Sequence, residues 1–333
     1  MSENARSTVL VSGATGFMGT AVTRELLSRG HRVRAMSRSV DRARIELGRY
    51  PEGRTALDEG RLTFVEADVT QPQTLDEAVR KVDAVAQTAQ FPGAPVEDPD
   101  KGLTYMNVDR NGTINLLQAI ARVYEARTAG PGITRFTQRA PHFLYLSGVT
   151  VEEGAANVWD RAKWQAEEAI RGSGLDWSIV RASPAYGPED KSFNRLIGYS
   201  DYQPFVAIFG DGNEKLTPVY VGDVGRIFAR LLEERDRVRD LTLPFGGPQV
   251  VTMNDLLRTM LEVMGRRRRL LHIPKPVGKA QAFVLQFLPG RFLTPDAVEF
   301  TAQGGVADLT RLRETFPDFE LTPLREGLAG YLG

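Results

Sequence analysis

Val9-Leu10-Val11-Ser12-Gly13-Ala14-Thr15-Gly16-Phe17-Met18-Gly19 carries an apolar, β-type run straight into glycines at positions 13, 16 and 19. Beyond them Met18, Val22 and Leu26 recur at helical spacing, and Gly30 stands where a helix end needs a positive φ. The stretch reads as strand, tight turn, helix. Glycine at these positions permits the turn, lets backbone approach a diphosphate and lets the helix pack hard on the strand. The free N–H groups and the positive end of the helix then face the anion. Gly13, Thr15, Gly16, Phe17, Met18 and Gly19 are therefore the candidates to hold the diphosphate of a dinucleotide.

Outward from this motif, Thr8–Ser12, Arg32–Met36, Leu62–Glu66, Ala84–Thr88, Phe143–Ser147 and Ser178–Arg181 read as strands, with amphipathic stretches between most of them. That alternation predicts an α/β chain of the Rossmann type, a doubly wound parallel sheet with helices on both faces. Gly48–Gly60 and Ala126–Pro141, rich in Gly, Thr and charge, read as long surface loops. The second half is less regular, with a strand–helix unit around Val219–Glu233 and helices from Met253 onward. The expected division is a dinucleotide-binding domain over 7–185 and 216–245. A smaller, mostly C-terminal α/β lobe for a substrate or partner covers 186–215 and 246–333.

Composition excludes several classes of function. Lys+Arg and Asp+Glu both total 42, so no global field favours nucleic acid. Without Cys there is no disulfide, thiolate metal site or Cys nucleophile, and His31, His142 and His272 are too scattered to predict a metal centre. The polar start, Met1 to Ser7, is unlike a secretion signal, and no apolar run approaches the roughly 20 residues of a bilayer span. A cytoplasmic protein is expected. Arg266–Arg269 and the apolar Val277–Leu288 read most simply as a solvated approach to a strand and a packing helix. The other reading of Arg266–Leu288 is a surface for a membrane or a protein partner.

The residues after the second strand bear on the choice of cofactor. A dinucleotide fold usually places an acid there for two ribose hydroxyls; this chain has Ser37-Arg38, with Arg42 one turn on. A guanidinium suits a 2′-phosphate, so NADP(H) is expected over NAD(H), while the nearby Asp41 keeps NAD(H) open. Asp68-Val69 ends the third strand with a carboxylate that can accept an adenine amino group or cap the following turn.

With these residues in view, the sequence resembles the extended short-chain dehydrogenase/reductases, of the NAD-dependent epimerase/dehydratase kind. The resemblance is carried by Gly13-x-x-Gly16-x-x-Gly19, Asp68-Val69, Asn107-Val108-x-x-x-Gly112-Thr113-x-Asn115-Leu116-Leu117 and Leu144-Tyr145-Leu146-Ser147. Val180-Arg181-x-x-x-x-Tyr186-Gly187-Pro188 and Phe209-Gly210-Asp211-Gly212 with Pro218-Val219-Tyr220-Val221-x-Asp223-Val224 extend it. Arg38, Lys163-Trp164-x-Ala166-Glu167 and the C-terminal layout look most like the atypical branch. That branch holds the nucleotide-binding accessory subunit of respiratory complex I and its bacterial relatives. The resemblance implies that Thr88 and Ala89 lie beside the cofactor, that Lys163 holds the nicotinamide ribose and that Pro184 and Ala185 approach the carboxamide. It also implies a substrate lobe from Phe193 to Asp211 with the C-terminal third, and a homodimer through helices around Asn107 and Trp164.

The catalytic pattern departs from the family's. Active members carry a Tyr one helical turn before the Lys, where the ammonium lowers the phenol pKa and the phenol exchanges a proton with substrate. Here Trp159 stands there, and an indole N–H donates but does not titrate. Val149 occupies the position of the usual Ser. Substitutes within the sequence are Ser147, Thr150, Tyr145, Asp160 and Tyr186. The expectation is an NADP(H)-binding protein with weak or no catalysis. The alternatives are an oxidoreductase or nucleotide-sugar epimerase/dehydratase with a relocated acid, acting on a nucleotide sugar, a quinone or a small carbonyl compound, and a peripheral-membrane or complex-assembly factor. Fold resemblance names no substrate.

Overall fold

The computed structural model describes residues 6–92, 96–130, 133–285 and 304–333 together with Pro295 and Val298. Strand β1 (Thr8–Ser12) feeds helix α1 (Phe17–Ser28), followed by β2 (Arg32–Ser37), α2 (Val40–Leu47), α3 (Pro51–Asp58), β3 (Leu62–Glu66), α4 (Leu75–Val79) and β4 (Ala84–Gln87). A π-helical turn over Met106–Asn111 leads into α5 (Gly112–Val123), the hairpin β5 (Ala126–Gly130) and β6 (Ile133–Phe136), β7 (His142–Gly148), α6 (Val158–Arg171) and β8 (Trp177–Ala182). Then come β9 (Ala185–Tyr186), α7 (Phe193–Gly198), β10 (Phe205–Phe209), β11 (Lys215–Leu216), β12 (Val219–Tyr220), α8 (Val221–Glu233) and β13 (Leu241–Phe245). Last are β14 (Val251–Thr252), α9 (Met253–Val263), β15 (Arg269–Ile273), α10 (Lys275–Leu285) and helices over Thr310–Thr315 and Leu324–Leu332.

The main sheet has the order β13-β8-β7-β4-β1-β2-β3, and β3, β2, β1, β4 and β7 pair in parallel. This is the doubly wound Rossmann arrangement. The strand order reverses between β1 and β4, the point outside whose carboxyl ends such sheets bind ligands. Burial follows position. β4 and β7 are covered along their whole length, whereas the edge strands β3 and β13 alternate or half-alternate. Helix α1 presents Val22, Thr23 and Leu26 to the interior and ends at Gly30, whose φ of 83° lets His31 N–H return to the Leu26 carbonyl.

The chain divides into two units, one of Met1–Phe91, Thr104–Arg181 and Gly222–Leu243, the other of Pro92–Leu103, Ala182–Val221 and Pro244–Gly333. Residues 216–221 thus fall with the second unit rather than the first, because Leu216 is buried in its core and β12 pairs with β9. That core gathers Val206 and Ile208 of β10, Leu256, Leu257, Met260 and Leu261 of α9, and Leu328.

Both stretches read as long loops turn out to be structured. Within Gly48–Gly60 lies α3, begun by Pro51 at its first turn and tied down by Arg24–Glu52; its Gly53 sits so close to the Leu47 carbonyl that a Cβ would be 2.0 Å away. Within Ala126–Pro141 lies the antiparallel hairpin β5–β6, in register Ala126↔Phe136 and Thr128↔Thr134. Glycine and charge hid a helix too short to show a periodicity, and strands of five and four residues are too short to show an alternation. Trp177 opens β8 and is buried.

His142, the first residue of β7, has a defined tautomer. Its Nε2 lies 3.0 Å from Ser178 Oγ, and that hydroxyl donates to the Val238 carbonyl at 2.7 Å, so the ring must donate from Nε2. Nδ1 is then buried without a hydrogen-bond partner, and burial lowers the imidazole pKa from 6.5 to about 4. The unfolded chain therefore takes up this proton first as pH falls. Stability from this site is whole above pH 6.5 and lost towards pH 4. Urea midpoints measured across that window should fall, with His142 contributing up to roughly 3 kcal/mol. In His142→Asn that share of the pH dependence should vanish.

Candidate functional site

The turn after β1 is closed to anything larger than glycine. Gly13 has a φ of 66°, and the Gly16 N–H donates to its carbonyl at 2.8 Å. A Cβ on Gly13 would lie 2.7 Å from Ala89 Cα, and one on Gly19 only 2.0 Å from the Gly13 oxygen. Gly16 caps α1 with no side-chain acceptor, so the first-turn amides keep their donors for another group. Thr15, Phe17 and Met18 are half-buried around them. The cradle fits a diphosphate: its floor is backbone, its donors are amides, and helix α1 begins there.

A polar clamp ties this turn to the end of β4. Ser12 Oγ is hydrogen-bonded to Gln87 Oε1 and accepts from the Thr88 N–H at 3.2 Å; Thr88 Oγ1 donates to the Ser12 carbonyl at 2.6 Å. Gln87 Nε2 donates to Thr113 Oγ1 on α5 at 3.2 Å. The structure thus brings Thr88 and Ala89 against the glycine turn.

At the carboxyl end of β2, Ser37 Oγ donates to the Ser39 carbonyl at 3.0 Å and Ser39 caps α2. Arg38 is exposed and forms no side-chain hydrogen bond or ion pair among the described residues. Arg42 is also exposed but pairs with Glu46 at 2.7 Å, one turn along α2. A free cation therefore stands at this corner, and it is Arg38. Asp68 Oδ1 accepts from Thr70 N–H and Oγ1, both at 2.8 Å, which makes it the cap of a turn. Val69 lies against Gly112, where a Cβ would be 2.7 Å from its Cγ2, and Asn115 Nδ2 holds its carbonyl at 2.8 Å.

Helix α6 carries Trp159 and Lys163 one turn apart. Lys163 is wholly buried: its Nζ lies 3.0 Å from Asp109 Oδ1, an ion contact outside hydrogen-bond angles, and donates to the Leu146 carbonyl at 3.1 Å. The Tyr145 ring stands 5.0 Å away. Burial alone would lower the ammonium pKa, and Tyr145 and Asp109 outweigh it, so the pKa is raised. In this arrangement Lys163 ties α6 to Asp109 and to β7. Asp109 also accepts from the Phe91 N–H at 2.9 Å, which ties the segment after β4 to the same pair.

Trp159, one turn earlier, leans on Gly148: a Cβ there would lie 2.2 Å from the indole Cη2. Of the candidate substitutes for a proton donor, Ser147, Thr150, Asp160 and Tyr186 are engaged in hydrogen bonds elsewhere, whereas the buried Tyr145 hydroxyl has no hydrogen-bond partner. Ser147 donates to the buried Glu167 at 2.6 Å, which also pairs with Arg171 and Arg181. Thr150 donates to Asp160 at 2.8 Å, and Asp160 is held by the Asn157 cap. Tyr145 is buried, which pushes its phenol up to about 12. Tyr186 belongs to the second unit's core, where its hydroxyl faces the Leu324 carbonyl at 3.4 Å. Pro184 and Ala185 are also in the second unit, at the start of β9. Sequence reasoning missed Asp109, Gly148 and Gln87. Asp109 reads as a solvated helix charge, and nothing local marks it as the partner of a lysine 54 positions on.

A glycine cradle at the switch point of a parallel sheet defines a dinucleotide-binding α/β protein. The chain belongs to the NAD dependent epimerase/dehydratase family, whose model matches residues 9–242. It is similar to a chloroplastic divinyl chlorophyllide a 8-vinyl-reductase of Zea mays, 31% identical over 88% of this chain and 69% of that protein. It is also similar to the mitochondrial NADH-ubiquinone oxidoreductase 40 kDa subunit of Neurospora crassa, 23% identical over 95% of this chain and 76% of that one. Among solved structures, UDP-glucuronic acid 4-epimerase from Bacillus cereus in complex with NAD superposes with a TM-score of 0.70 at 18% identity, covering 98% of each chain. That likeness is one of fold.

The Trp159–Gly148 contact gives a direct test. Gly148→Ala should cost about 1–3 kcal/mol by overpacking. In a thermodynamic cycle with Trp159→Phe, whose ring falls short of the Cη2 position, the penalty should largely disappear.

Proposed function

We propose that this chain binds NADP(H) through the β1–α1 cradle and the Ser37–Arg38 corner, and that it does not exchange protons through a Tyr–Lys pair. The observation that carries the second half is Trp159 seated on Gly148 one turn before a Lys163 sealed against Asp109. When bound, the nicotinamide supplies or accepts hydride. The chain's own part is to hold the diphosphate on the amides after Gly13 and to meet a 2′-phosphate with Arg38. Oxidising a carbinol needs a group that takes its hydroxyl proton, and neither an indole nor a buried, ion-paired ammonium does so. On this reading the bound cofactor stabilises or reports on the protein; at a hundredfold excess over its Kd it would add about 3 kcal/mol.

A second reading is favoured by the relatives named 8-vinyl-reductases, one of which matches 88% of the chain. Reduction of a carbon–carbon double bond adds hydride to one carbon and a proton to its neighbour. No carbinol oxygen is involved, and with solvent water giving the proton to the second carbon the step needs no phenol. Under this reading the chain is an NADP(H)-dependent reductase. Nucleotide-sugar epimerisation, which proceeds through carbinol oxidation, is the less supported of the alternatives.

Calorimetry should find NADPH bound more tightly than NADH, with Arg38→Ser weakening NADPH by roughly tenfold to a hundredfold and leaving NADH unchanged. Gly19→Val should abolish both. Equal affinities untouched at position 38 would overturn the NADP(H) assignment. Carbonyl reduction by the wild type should be absent or slow and should rise in Trp159→Tyr. A fast wild-type carbonyl reductase indifferent to position 159 would overturn the rest.

A further inference from the structure

In the second unit, helix α10 is inverted relative to a helix that only packs on its own chain. Its buried positions hold the smallest residues, Gly278 and Ala282, while Val277, Phe283 and Val284 are 47%, 59% and 66% exposed. Val277, Ala280 and Val284 follow one another at i, i+3 and i+7, so the apolar stripe faces outward. The small side is what docks the helix: a Cβ on Gly278 would lie 2.6 Å from the Phe209 ring of β10.

The sheet beneath continues the same surface. β10 and β15 pair in parallel with Phe205↔Arg269, Ala207↔Leu271 and Phe209↔Ile273 in register. Val206 and Ile208 point into the unit's core, so Arg269 and Leu271 share the opposite face with Phe209, the face on which α10 lies. Leu271 is 47% exposed there. Beside it runs a groove lined by Pro204, Phe205, Leu261 and the guanidinium run Arg266–Arg269. Arg266 pairs with Asp201, and Arg268 donates to the Ser200 carbonyl at 3.0 Å. The side chains of Arg267 and Arg269 form no ion pair or hydrogen bond among the described residues. The carboxylates at hand are matched: Glu262 pairs with Arg325, and Asp255 lies 3.6 Å from Arg258. Tyr202, 90% exposed, stands just before the groove.

We propose that this face docks on the surface of an anionic lipid bilayer, with the apolar stripe of α10 at the acyl boundary and Arg267 and Arg269 on phosphate headgroups. Among the described residues no helix is long and apolar enough to cross a membrane, so the contact is one of lying on the surface. An apolar stripe beside unmatched guanidinium groups is what such a surface recognises, and an exposed Tyr suits the headgroup level. On a chain whose Lys+Arg and Asp+Glu totals are equal, this is local charge rather than a global field. The proposal does not rest on cofactor binding.

The test is co-sedimentation of the full chain with vesicles of phosphatidylcholine alone and with added phosphatidylglycerol. Binding should require the anionic lipid and weaken with salt. Arg267→Gln and Arg269→Gln should each lower the partition coefficient about fivefold. Phe283→Ser with Val284→Ser should lower it more than tenfold. All are surface changes that should leave the circular dichroism spectrum and NADPH binding intact. Absent binding, or equal binding to both vesicles, would overturn the proposal. So would a concentration-dependent dimer that Phe283→Ser dissolves, since a second copy would then be what covers α10.

Discussion

The closeness of α1 to β1 governs the first unit. Gly19 rests against the Gly13 carbonyl with no room for a methyl group, and Gly13 rests in turn against Ala89. That contact sets where the helix starts, hence where its free amides point, and it brings the ends of β1 and β4 together at the switch point of the sheet. The Ser12–Gln87–Thr88 clamp then keeps the strand ends in register by satisfying polar groups that burial would otherwise penalise. A diphosphate cradle is the consequence of packing two elements as tightly as backbone allows.

Behind that cradle the interior carries charge. Lys163 and Asp109 are both removed from water, a state tolerable only because each is the other's partner and because Leu146 and Phe91 supply further hydrogen bonds. Glu167 is likewise buried with Arg171, Arg181 and Ser147 around it. These groups hold α6 against β7 and against the π-helical turn before α5. Ser147, Glu167 and Lys163 thus bind these elements together. Membership of the family names no substrate by itself.

The second unit follows a different logic. Its core is ordinary, with β10, α9 and the last helix interlocking, yet α10 turns its large apolar residues away from it. Local sequence cannot separate a helix that buries an apolar stripe from one that displays it. The two differ only in which residues meet the neighbouring strand, and in α10 those are Gly278 and Ala282.

Much of this molecule follows from local rules. The β1 to Gly19 run, six of the seven strands of the main sheet to within a residue or two, the positive φ of Gly30 and the exposed guanidinium at position 38 all depend on neighbours in the chain. Alternation, glycine spacing and turn chemistry express such short-range forces, and so the strand, glycine turn and helix that open the chain were legible in advance. Helix α3 and the β5–β6 pair were not, because eight residues begun by Pro51 are too few to show a periodicity and the two short strands are defined by their pairing with each other. Lys163 shows the division most clearly: its presence is written in the sequence, but its partner is far away along the chain. Whether an ammonium faces a ligand or a buried carboxylate is decided by desolvation, and desolvation exists only once the tertiary structure has closed around it.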